Sequence, residues 1–302
     1  MNRREALRTL LSAPPLLWAA RLGTLRAQGA MTLESLAPKL TLMSGFGGNI
    51  ALLQTDDGLV LVDSGIPENA EATDTKARSV AAVPIKVLIN THFHYDHVGG
   101  NERLGREGVK IIAHENVLKR VSTPQKNAFF GREFPALAPE GRPKTAFTGG
   151  GSLALGTEKL QYQHLPPAHT DGDSTVHFLN TNVFQTGDLF FNGMYPFIDY
   201  SAGGSMEGMI ADADQILKTV DAKTKIIPGH GPMGTRDDLK AFRDMLAAVN
   251  ERVSSAMKGG KTLEQLQAAE PTKDYDAKWG NGFLKPADFV RMLHMGKSGK
   301  RS

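Results

Sequence analysis

The most informative segment of this chain is Thr91-His92-Phe93-His94-Tyr95-Asp96-His97-Val98-Gly99-Gly100. It places three imidazoles and one carboxylate within six residues, directly after an apolar run over residues 86–90. Without a bound ion these polar, partly cationic groups would crowd together at a strand end, where desolvation and mutual repulsion both cost free energy. The pattern therefore predicts a metal site at the end of a buried strand.

The composition limits what kind of metal site this can be. The chain has 302 residues, of which 40% are hydrophobic and 22% charged, as in an ordinary globular protein. It contains no cysteine, which excludes disulfides and thiolate-bound metal. The ligands must therefore be imidazole nitrogens and carboxylate oxygens, a donor set that suits zinc.

The first 29 residues have the pattern of an export signal. Arg3 and Arg4 precede a weakly apolar run, residues 10–20, that is too short to cross a bilayer as a helix. A small-x-small site, Ala27-Gln28-Gly29, follows it. This pattern is typical of a twin-arginine signal, so we expect residues 1–29 to direct the protein to the periplasm. Residues 30–302 are then expected to form the catalytic domain.

The charge of the chain depends strongly on this leader. Residues 1–29 contain five of the 35 Lys and Arg residues and one of the 32 Asp and Glu residues. The remainder has 30 basic and 31 acidic residues, so its net charge is −1, against +3 for the whole chain. The basic leader is no indication of a nucleic-acid partner. We expect a small-molecule substrate and, since no other stretch is apolar for long enough, no stable membrane anchor after signal removal.

Hydrophobic patterns alternate between strands and helices along the chain. Strands are predicted over residues 40–43, 49–54, 59–63, 86–90, 109–113, 152–155, 160–164, 175–180, 183–186 and 225–228. Helices are predicted near residues 69–80, 102–104 and 206–220, and over most of 237–302 with a break near 271–280. Residues 121–148, rich in Pro, Gly and Phe, are predicted to be a long connection beside the substrate. This order favours an α/β fold with two sheets packed face to face and helices outside.

The motif at residues 91–100 resembles the signature of the metallo-β-lactamase superfamily. Four further motifs follow the order of that family: Val62-Asp63-Ser64-Gly65, Ala168-His169-Thr170-Asp171-Gly172-Asp173, Thr186-Gly187-Asp188 and Pro228-Gly229-His230-Gly231. The likeness runs from about residue 40 to 231. It implies a four-layer αββα sandwich with two mixed β-sheets.

The resemblance also implies a ligand set for two metal ions. Seven positions match the ligand motifs: His92, His94 and His169 for the first metal, Asp96, His97 and His230 for the second, and Asp188 bridging both. The family implies two zinc ions, with iron or manganese as alternatives, and a bridging hydroxide that attacks a carbonyl. The leaving group would take its proton from metal-bound water or from the region of Asp96, which is the candidate catalytic residue.

Asp188 separates the branches of the family. The β-lactamases generally lack a bridging aspartate, and one group of them uses a cysteine ligand. With Asp188 and no cysteine, the chain looks more like the glyoxalase II, lactonase and general-hydrolase branches. The first expectation is therefore an exported hydrolase of an ester, thioester, lactone or amide. The alternatives are a β-lactamase and a mononuclear iron dioxygenase acting on persulfides.

Several residues are expected around the metals rather than on them. Asp63 is expected to hydrogen-bond the ligand loop, and Asp171 either to do the same or to be a turn residue. Phe46 and Tyr195 are predicted to line the substrate pocket. Trp279 and Phe283 are predicted to cover it from the C-terminal helices. The other histidines, His114, His164, His177 and His294, are expected to be structural or exposed.

Overall fold

Fourteen strands and nine helices make up the described part of the chain, residues 31–299 of a computed structural model; the predicted signal peptide lies outside these residues. The strands are β1 (Thr32–Ala37), β2 (Leu40–Ser44), β3 (Ile50–Thr55), β4 (Gly58–Val62), β5 (Ile85–Ile89), β6 (Lys110–His114), β7 (Gln125–Asn127), β8 (Arg132–Phe134), β9 (Thr145–Phe147), β10 (Gly150–Leu155), β11 (Glu158–His164), β12 (Ser174–Phe178), β13 (Val183–Gln185) and β14 (Lys225–Ile227). The helices are α1 (Ala70–Val80), α2 (Tyr95–Val98), α3 (Asn101–Arg106), α4 (Glu115–Val121), α5 (Met206–Thr219), α6 (Arg236–Lys258), α7 (Leu263–Ala268), α8 (Lys273–Trp279) and α9 (Pro286–Lys297).

The strands form two mixed sheets and one small hairpin. The first sheet has the order β1-β2-β3-β4-β5-β6-β9, antiparallel from β1 to β4 and parallel from β4 to β9. The second has the order β10-β11-β12-β13-β14, and only its last pair is parallel. The pair β7-β8 stands apart as a two-stranded hairpin.

The burial pattern explains why the central strands lie where they do. Every residue of β4, Gly-Leu-Val-Leu-Val, is buried, because both faces of this strand are covered. In β11 buried and accessible residues alternate, as expected of a strand with one face toward the core. Val60 and Val62 of β4 share one apolar cluster with Val176 and Phe178 of β12. The two sheets therefore pack face to face over this cluster.

The helices cover the outer faces of the sheets. Leu59 and Leu61 point away from the inter-sheet cluster and pack with Ala77 of α1. On the second sheet, Ile226 belongs to a cluster that includes Phe242 of α6. Capping boxes fix the starts of α6 and α7, at Thr235 and Thr262. The result is the predicted four-layer αββα sandwich, which confirms the expected fold class.

Several elements differ from the sequence expectation: strands β7, β8 and β9, for example, lie within residues 121–148, which were predicted to be a long connection. Strand β1 was not predicted because it is an edge strand whose first four residues are exposed, so it carries no apolar alternation. Helix α4 was also missed, being only seven residues long. Residues 273–279, predicted to lie in a break, form helix α8, whose Trp279 is buried. None of the described helices is long and apolar enough to cross a membrane.

Candidate metal centre

Four loops at strand ends carry the predicted ligands to one place. The loop after β5 carries His92 and His94, and helix α2 continues it with Asp96 and His97. The remaining three come from the loop between β11 and β12, the loop after β13 and the loop after β14: His169, Asp188 and His230. The structure brings all seven side chains together in two neighbouring groups.

The first group consists of His92, His94, His169 and Asp188, whose candidate ligand atoms all lie within 4.8 Å of one another. Nε2 of His169 lies 2.8 Å from Nδ1 of His94 and 3.3 Å from Oδ2 of Asp188. Nε2 of His92 lies 3.8 Å from the same Asp188 oxygen. Four donor atoms therefore converge on one small volume.

The second group consists of Asp96, His97 and His230. Nε2 of His230 lies 3.2 Å from Oδ2 of Asp96 and 3.4 Å from Nε2 of His97. Oδ1 of Asp188 lies 3.1 Å from Nε2 of His97 and 3.5 Å from Nε2 of His230. Asp188 thus directs Oδ2 at the first group and Oδ1 at the second.

In the buried histidines His97 and His169, the ring nitrogen that points away from the ligand cluster has a hydrogen-bond partner of its own. This partner fixes which nitrogen faces the site. Nδ1 of His97 pairs with Oδ2 of Asp63 at 2.9 Å, and Nδ1 of His169 donates to the Phe197 carbonyl at 2.8 Å. His94 is turned the other way: its Nε2 pairs with Oδ2 of Asp199 at 3.0 Å, which leaves Nδ1 for the site. The rings are therefore held in a ligand orientation before any ion binds.

Asp63 organises the ligand loop from its base. Its Oδ1 accepts a hydrogen bond from the Thr91 amide at 2.8 Å, and its Oδ2 accepts one from the Thr91 hydroxyl at 2.7 Å. The hydroxyl in turn lies 3.1 Å from Nδ1 of His92. Asp63 is fully buried and has φ of 66°, an uncommon conformation for a residue other than glycine. The structure thus places Asp63 beneath the ligands, in contact with the loop that carries them.

The side chain of Asp171 pairs with Arg120. Its carboxylate forms a two-point ion pair with Arg120, at 2.6 and 2.7 Å. Asp173, two residues on, supports the ligand loop instead: its Oδ2 accepts hydrogen bonds from the amides of His169 and Thr170 at 2.7 and 2.8 Å. Burial raises the pKa of Asp173 to about 7.

Two glycines leave the space that the ligand side chains occupy. A Cβ added to Gly48 would lie 2.2 Å from Cε1 of His97, and one added to Gly229 would lie 1.9 Å from Oδ1 of Asp188. Both glycines belong to loops that reach the site from different sheets. Close approach of backbone to the ligands therefore requires glycine at both positions.

A nitrogen of His92 that has no partner within residues 31–299 is independent evidence that the site is built to bind a metal. Nε2 of His92 is buried and has no hydrogen-bond partner among the described residues, although it points at Asp188. A buried ring nitrogen without a partner costs free energy, and a bound cation would satisfy it. The imidazole and carboxylate donors are those expected for zinc.

The charges of the site agree with this fit. Burial raises the pKa of Asp188, but the neighbouring His97, His230, His169 and His92 outweigh it and hold this pKa well below its ordinary value. Burial lowers the pKa of His230, yet Asp188 and Asp96 raise it to about 9. Without a cation, protons on the second group therefore balance the carboxylates, and a divalent ion would replace those protons.

Tyr195 lies in a different place from the one predicted. It is fully buried, its ring stacks on Phe289 at 4.5 Å, and its hydroxyl donates to Oδ1 of Asp276 at 2.8 Å. Tyr195 therefore belongs to the core beneath the C-terminal helices, not to the pocket wall, which corrects the expectation. Tyr195 is close to Asp188 in sequence, but its hydroxyl finds its hydrogen-bond acceptor, Asp276, in α8, so the ring does not face the site.

Phe46 is half-buried and packs toward the outer face of the first sheet. Its loop nevertheless borders the second group, because the amide of Gly48 donates to the Asp96 carbonyl at 3.0 Å. Of the two C-terminal aromatics, Trp279 is buried and Phe283 is half exposed. Phe283 lies 6.3 Å from Phe191, whose ring stacks on His230.

Asp199 is the functional residue that the sequence did not indicate. It is buried, pairs with His94, and also accepts hydrogen bonds from the amides of Ser201 and Ala202 at 3.1 and 3.2 Å. It lies 105 residues from His94 along the chain, outside the five motifs. The only local signal in the sequence was an aspartate at a position where it can start a short helical turn.

Comparisons with known proteins agree with the fold and the site. The sequence model of the metallo-β-lactamase superfamily matches residues 43–230 of the chain. A chicken (Gallus gallus) protein named acyl-coenzyme A thioesterase MBLAC2 is 24% identical over 208 residues, covering 62% of this chain and 73% of the relative.

Two solved structures have the same fold at low identity. A metallo-β-lactamase from Pontibacter korlensis superposes with a TM-score of 0.61 at 19% identity, over 72% of this chain and 99% of that one. The stereoselective inverting sec-alkylsulfatase Pisa1 from Pseudomonas sp. superposes with a TM-score of 0.64 at 20% identity, over 88% of this chain and 50% of that one. Together with the ordered motifs and the ligand cluster, these matches show that the chain belongs to the metallo-β-lactamase superfamily and is a metal-dependent hydrolase.

Proposed function

We propose that this chain is an exported dinuclear zinc hydrolase that cleaves an ester, thioester, lactone or amide bond of a small-molecule substrate. The observation that carries the proposal is the position of Asp188. Its two carboxylate oxygens face two separate groups of histidines, with Oδ2 3.3 Å from His169 and Oδ1 3.1 Å from His97. A carboxylate between two complete ligand groups can bind a metal ion on each side, as a two-metal site needs a shared or neighbouring ligand set.

The residues of the first group would hold one zinc, and those of the second group the other. Bound zinc lowers the pKa of water toward neutrality and polarises a carbonyl oxygen. The protein contributes orientation: Asp63, Asp199 and the Phe197 carbonyl fix the rings of His97, His94 and His169. Because these partners are buried, they keep the donor atoms aimed at the site without reorganisation.

Asp96 is the proposed proton relay. Its side chain is 19% exposed, and that of His230 is 20% exposed, so both border the open side of the site. Burial raises the pKa of Asp96, but His97 and His230 outweigh burial and lower it to about 2. The carboxylate is therefore ionised at neutral pH, so it would pass a proton from water to the leaving group rather than store one.

Thioesters, activated esters and lactones are the preferred substrates in this proposal. Asp188 brings negative charge between the two groups, which disfavours the amide anion that β-lactam opening produces. A thiolate or a lactone alkoxide is a better leaving group and depends less on that stabilisation. The similarity to a protein named acyl-coenzyme A thioesterase supports thioesters as the first substrates to test.

A substrate panel on the zinc-loaded protein tests the proposal. We expect kcat/KM for thioesters, activated esters or lactones to exceed that for any common β-lactam by at least about tenfold, or roughly 1.4 kcal/mol of transition-state binding. Penicillin or carbapenem turnover with negligible ester cleavage would make the protein a β-lactamase. One iron per chain and persulfide oxidation would make it a dioxygenase instead.

A further inference from the structure

Large apolar side chains that remain exposed are few on the described surface, and two of them stand beside the metal site. Among the described residues, Leu33, Phe130 and Phe283 are exposed at 38%, 37% and 50%. Single exposed apolar residues are common on protein surfaces and need no explanation. The position of two of these three does need one, because each lies next to a phenylalanine ring that contacts a histidine of the ligand cluster.

Phe130 stands on the side of the first ligand group. It lies in the turn between β7 and β8, and its ring is 4.9 Å from that of Phe197. The Phe197 ring lies 5.9 Å from His94 and 6.0 Å from His169. Phe129, the neighbour of Phe130, contacts the same Phe197 ring at 5.9 Å. The hairpin thus extends an apolar surface outward from the first group.

Phe283 stands on the side of the second ligand group. It lies between α8 and α9, 6.3 Å from the ring of Phe191. Phe191 is buried and stacks on His230 at 5.3 Å with an interplanar angle of 17°. The turn is held close to the body of the protein, because a Cβ on Gly282 would lie 2.5 Å from Cβ of Met194. This second apolar surface therefore also ends at a ligand.

The hairpin that carries Phe130 is fixed to the site. The Phe130 amide donates to Oδ1 of Asn127 at 3.1 Å, and Nδ2 of Asn127 lies 3.4 Å from Oδ2 of Asp199, the partner of His94. The Ser201 hydroxyl donates to the Lys126 carbonyl at 3.3 Å. These bonds hold the turn in place, and the exposed ring packs on Phe129 and Phe197, so it can bind an apolar group at a low cost in conformational entropy.

We propose that Phe130 and Phe283 are specificity-determining residues, forming two apolar walls that bind hydrocarbon groups on both sides of the scissile carbonyl. The preferred substrates are then medium-chain esters or thioesters with an apolar acyl group and an apolar leaving group. This inference rests on the proposed hydrolytic function and narrows its substrate class.

Two homologous substrate series test the walls on the zinc-loaded full chain. One series lengthens the acyl group of p-nitrophenyl esters from acetate to octanoate, and the other lengthens the thiol of S-alkyl thioacetates from ethyl to octyl. Complete burial of one methylene corresponds to about a fourfold gain, so partial burial predicts a rise in kcat/KM of about twofold per methylene in each series. Phe130→Ala should reduce the rise of kcat/KM with chain length in one series, through a higher KM for the longer substrates. Phe283→Ala should do the same in the other series.

Leu33→Ala is the matched control, because Leu33 is the third exposed large apolar residue within residues 31–299 and lies on the edge strand β1. We expect this variant to keep both chain-length dependences. Calorimetric binding of octanoate against acetate gives a readout that does not need turnover. We expect octanoate to bind at least about tenfold more tightly in the parent and in Leu33→Ala, and this preference to shrink in one of the two phenylalanine variants.

The outcomes separate this inference from the function on which it rests. Hydrolysis of short esters with no chain-length dependence in the parent would overturn the walls and leave the hydrolase intact. Equal loss of chain-length dependence in Leu33→Ala would also overturn them. Absence of any ester or thioester hydrolysis would overturn the proposed function, and equal binding of octanoate and acetate would then overturn the walls as well.

Discussion

Asp188 shows how a single residue determines what the site can do. Its two oxygens point at different histidines, and Gly229 leaves the space for one of them, since a Cβ there would lie 1.9 Å from Oδ1. Burial alone would favour a neutral carboxyl group, but the surrounding imidazoles keep its pKa well below the ordinary value. The anion is thus present in the site before a metal binds.

Replacement of Asp188 should remove metal from both groups. Asp188→Asn keeps the size of the side chain but loses the charge and one acceptor oxygen. We expect metal affinity to fall by about 10-fold or more, since a shared ligand should matter at least as much as a hydrogen-bonded partner of a ligand. Metal content after dialysis against a chelator measures this. Asp171→Asn is the control, because Asp171 pairs with Arg120, and it should retain the metals. Full metal content and activity in Asp188→Asn would refute the bridging role.

Gly48 gives a more selective test of the same geometry. Gly48→Ala would place a methyl group 2.2 Å from Cε1 of His97, so His97 must turn away from the second group. We expect the second metal to bind about 10-fold or more weakly, and the first metal to change less. Stepwise zinc titration against a competing chelator resolves the two sites. Gly149→Ala is the matched control, because a Cβ there meets no atom within 4 Å. Equal weakening of both sites would contradict the assignment of His97 to the second one.

At the scale of elements, the loops after the strands hold the site, and a stacked histidine pair joins two of the strands behind it. His114 of β6 and His164 of β11 stack at 3.6 Å with an interplanar angle of 10°. Nε2 of His114 donates to the Thr148 carbonyl, and its Nδ1 accepts the Asn116 amide. Nδ1 of His164 donates to the Asp173 carbonyl at 2.9 Å. These bonds suit neutral rings.

This pair predicts a loss of stability in acid. Burial, and for His114 also the charge of His164, lowers both pKa values below the ordinary 6.5. As pH falls below about 6.5, the unfolded chain takes up protons on these histidines before the folded chain does, so the free energy of unfolding decreases. Above about pH 6.5 the rings are neutral in both states, and this contribution to stability is unaffected. His164→Gln should therefore make the fall in Tm between about pH 7.5 and about pH 5.5 smaller, by about 1–2 °C. His294→Gln on α9 should leave that fall unchanged. An unaltered fall in His164→Gln would contradict the prediction.

The sequence predicts well those features that neighbouring residues determine, and poorly those that depend on contacts between distant parts of the chain. The ligand loops were placed by compact motifs that end buried strands, and the strands by apolar runs such as that of β4. Asp199 was not found, because its link to His94 spans 105 residues and depends on how two loops meet. Tyr195 was misplaced because its distance from Asp188 along the chain does not show which way its ring points, and α8 supplied the partner for its hydroxyl.

On the level of the whole molecule, the fold brings loops from both sheets to one site. The sequence of residues 1–29 predicts the cell compartment in which that site acts. We propose that Arg3 and Arg4 direct export to the periplasm of a chain that is already folded. Replacing both arginines by lysine should trap the precursor in the cytoplasm, as measured by cell fractionation and immunoblotting. The same double replacement at Arg21 and Arg26, outside the pair, should leave export intact. An unchanged periplasmic yield after the Arg3 and Arg4 replacement would exclude this route.

Anomalous diffraction at the zinc edge, from crystals of the zinc-loaded protein, would locate the two zinc ions proposed on either side of Asp188. We expect two peaks, one among His92, His94 and His169 and the other among Asp96, His97 and His230. A single peak in the first group, or peaks away from Asp188, would contradict a dinuclear centre.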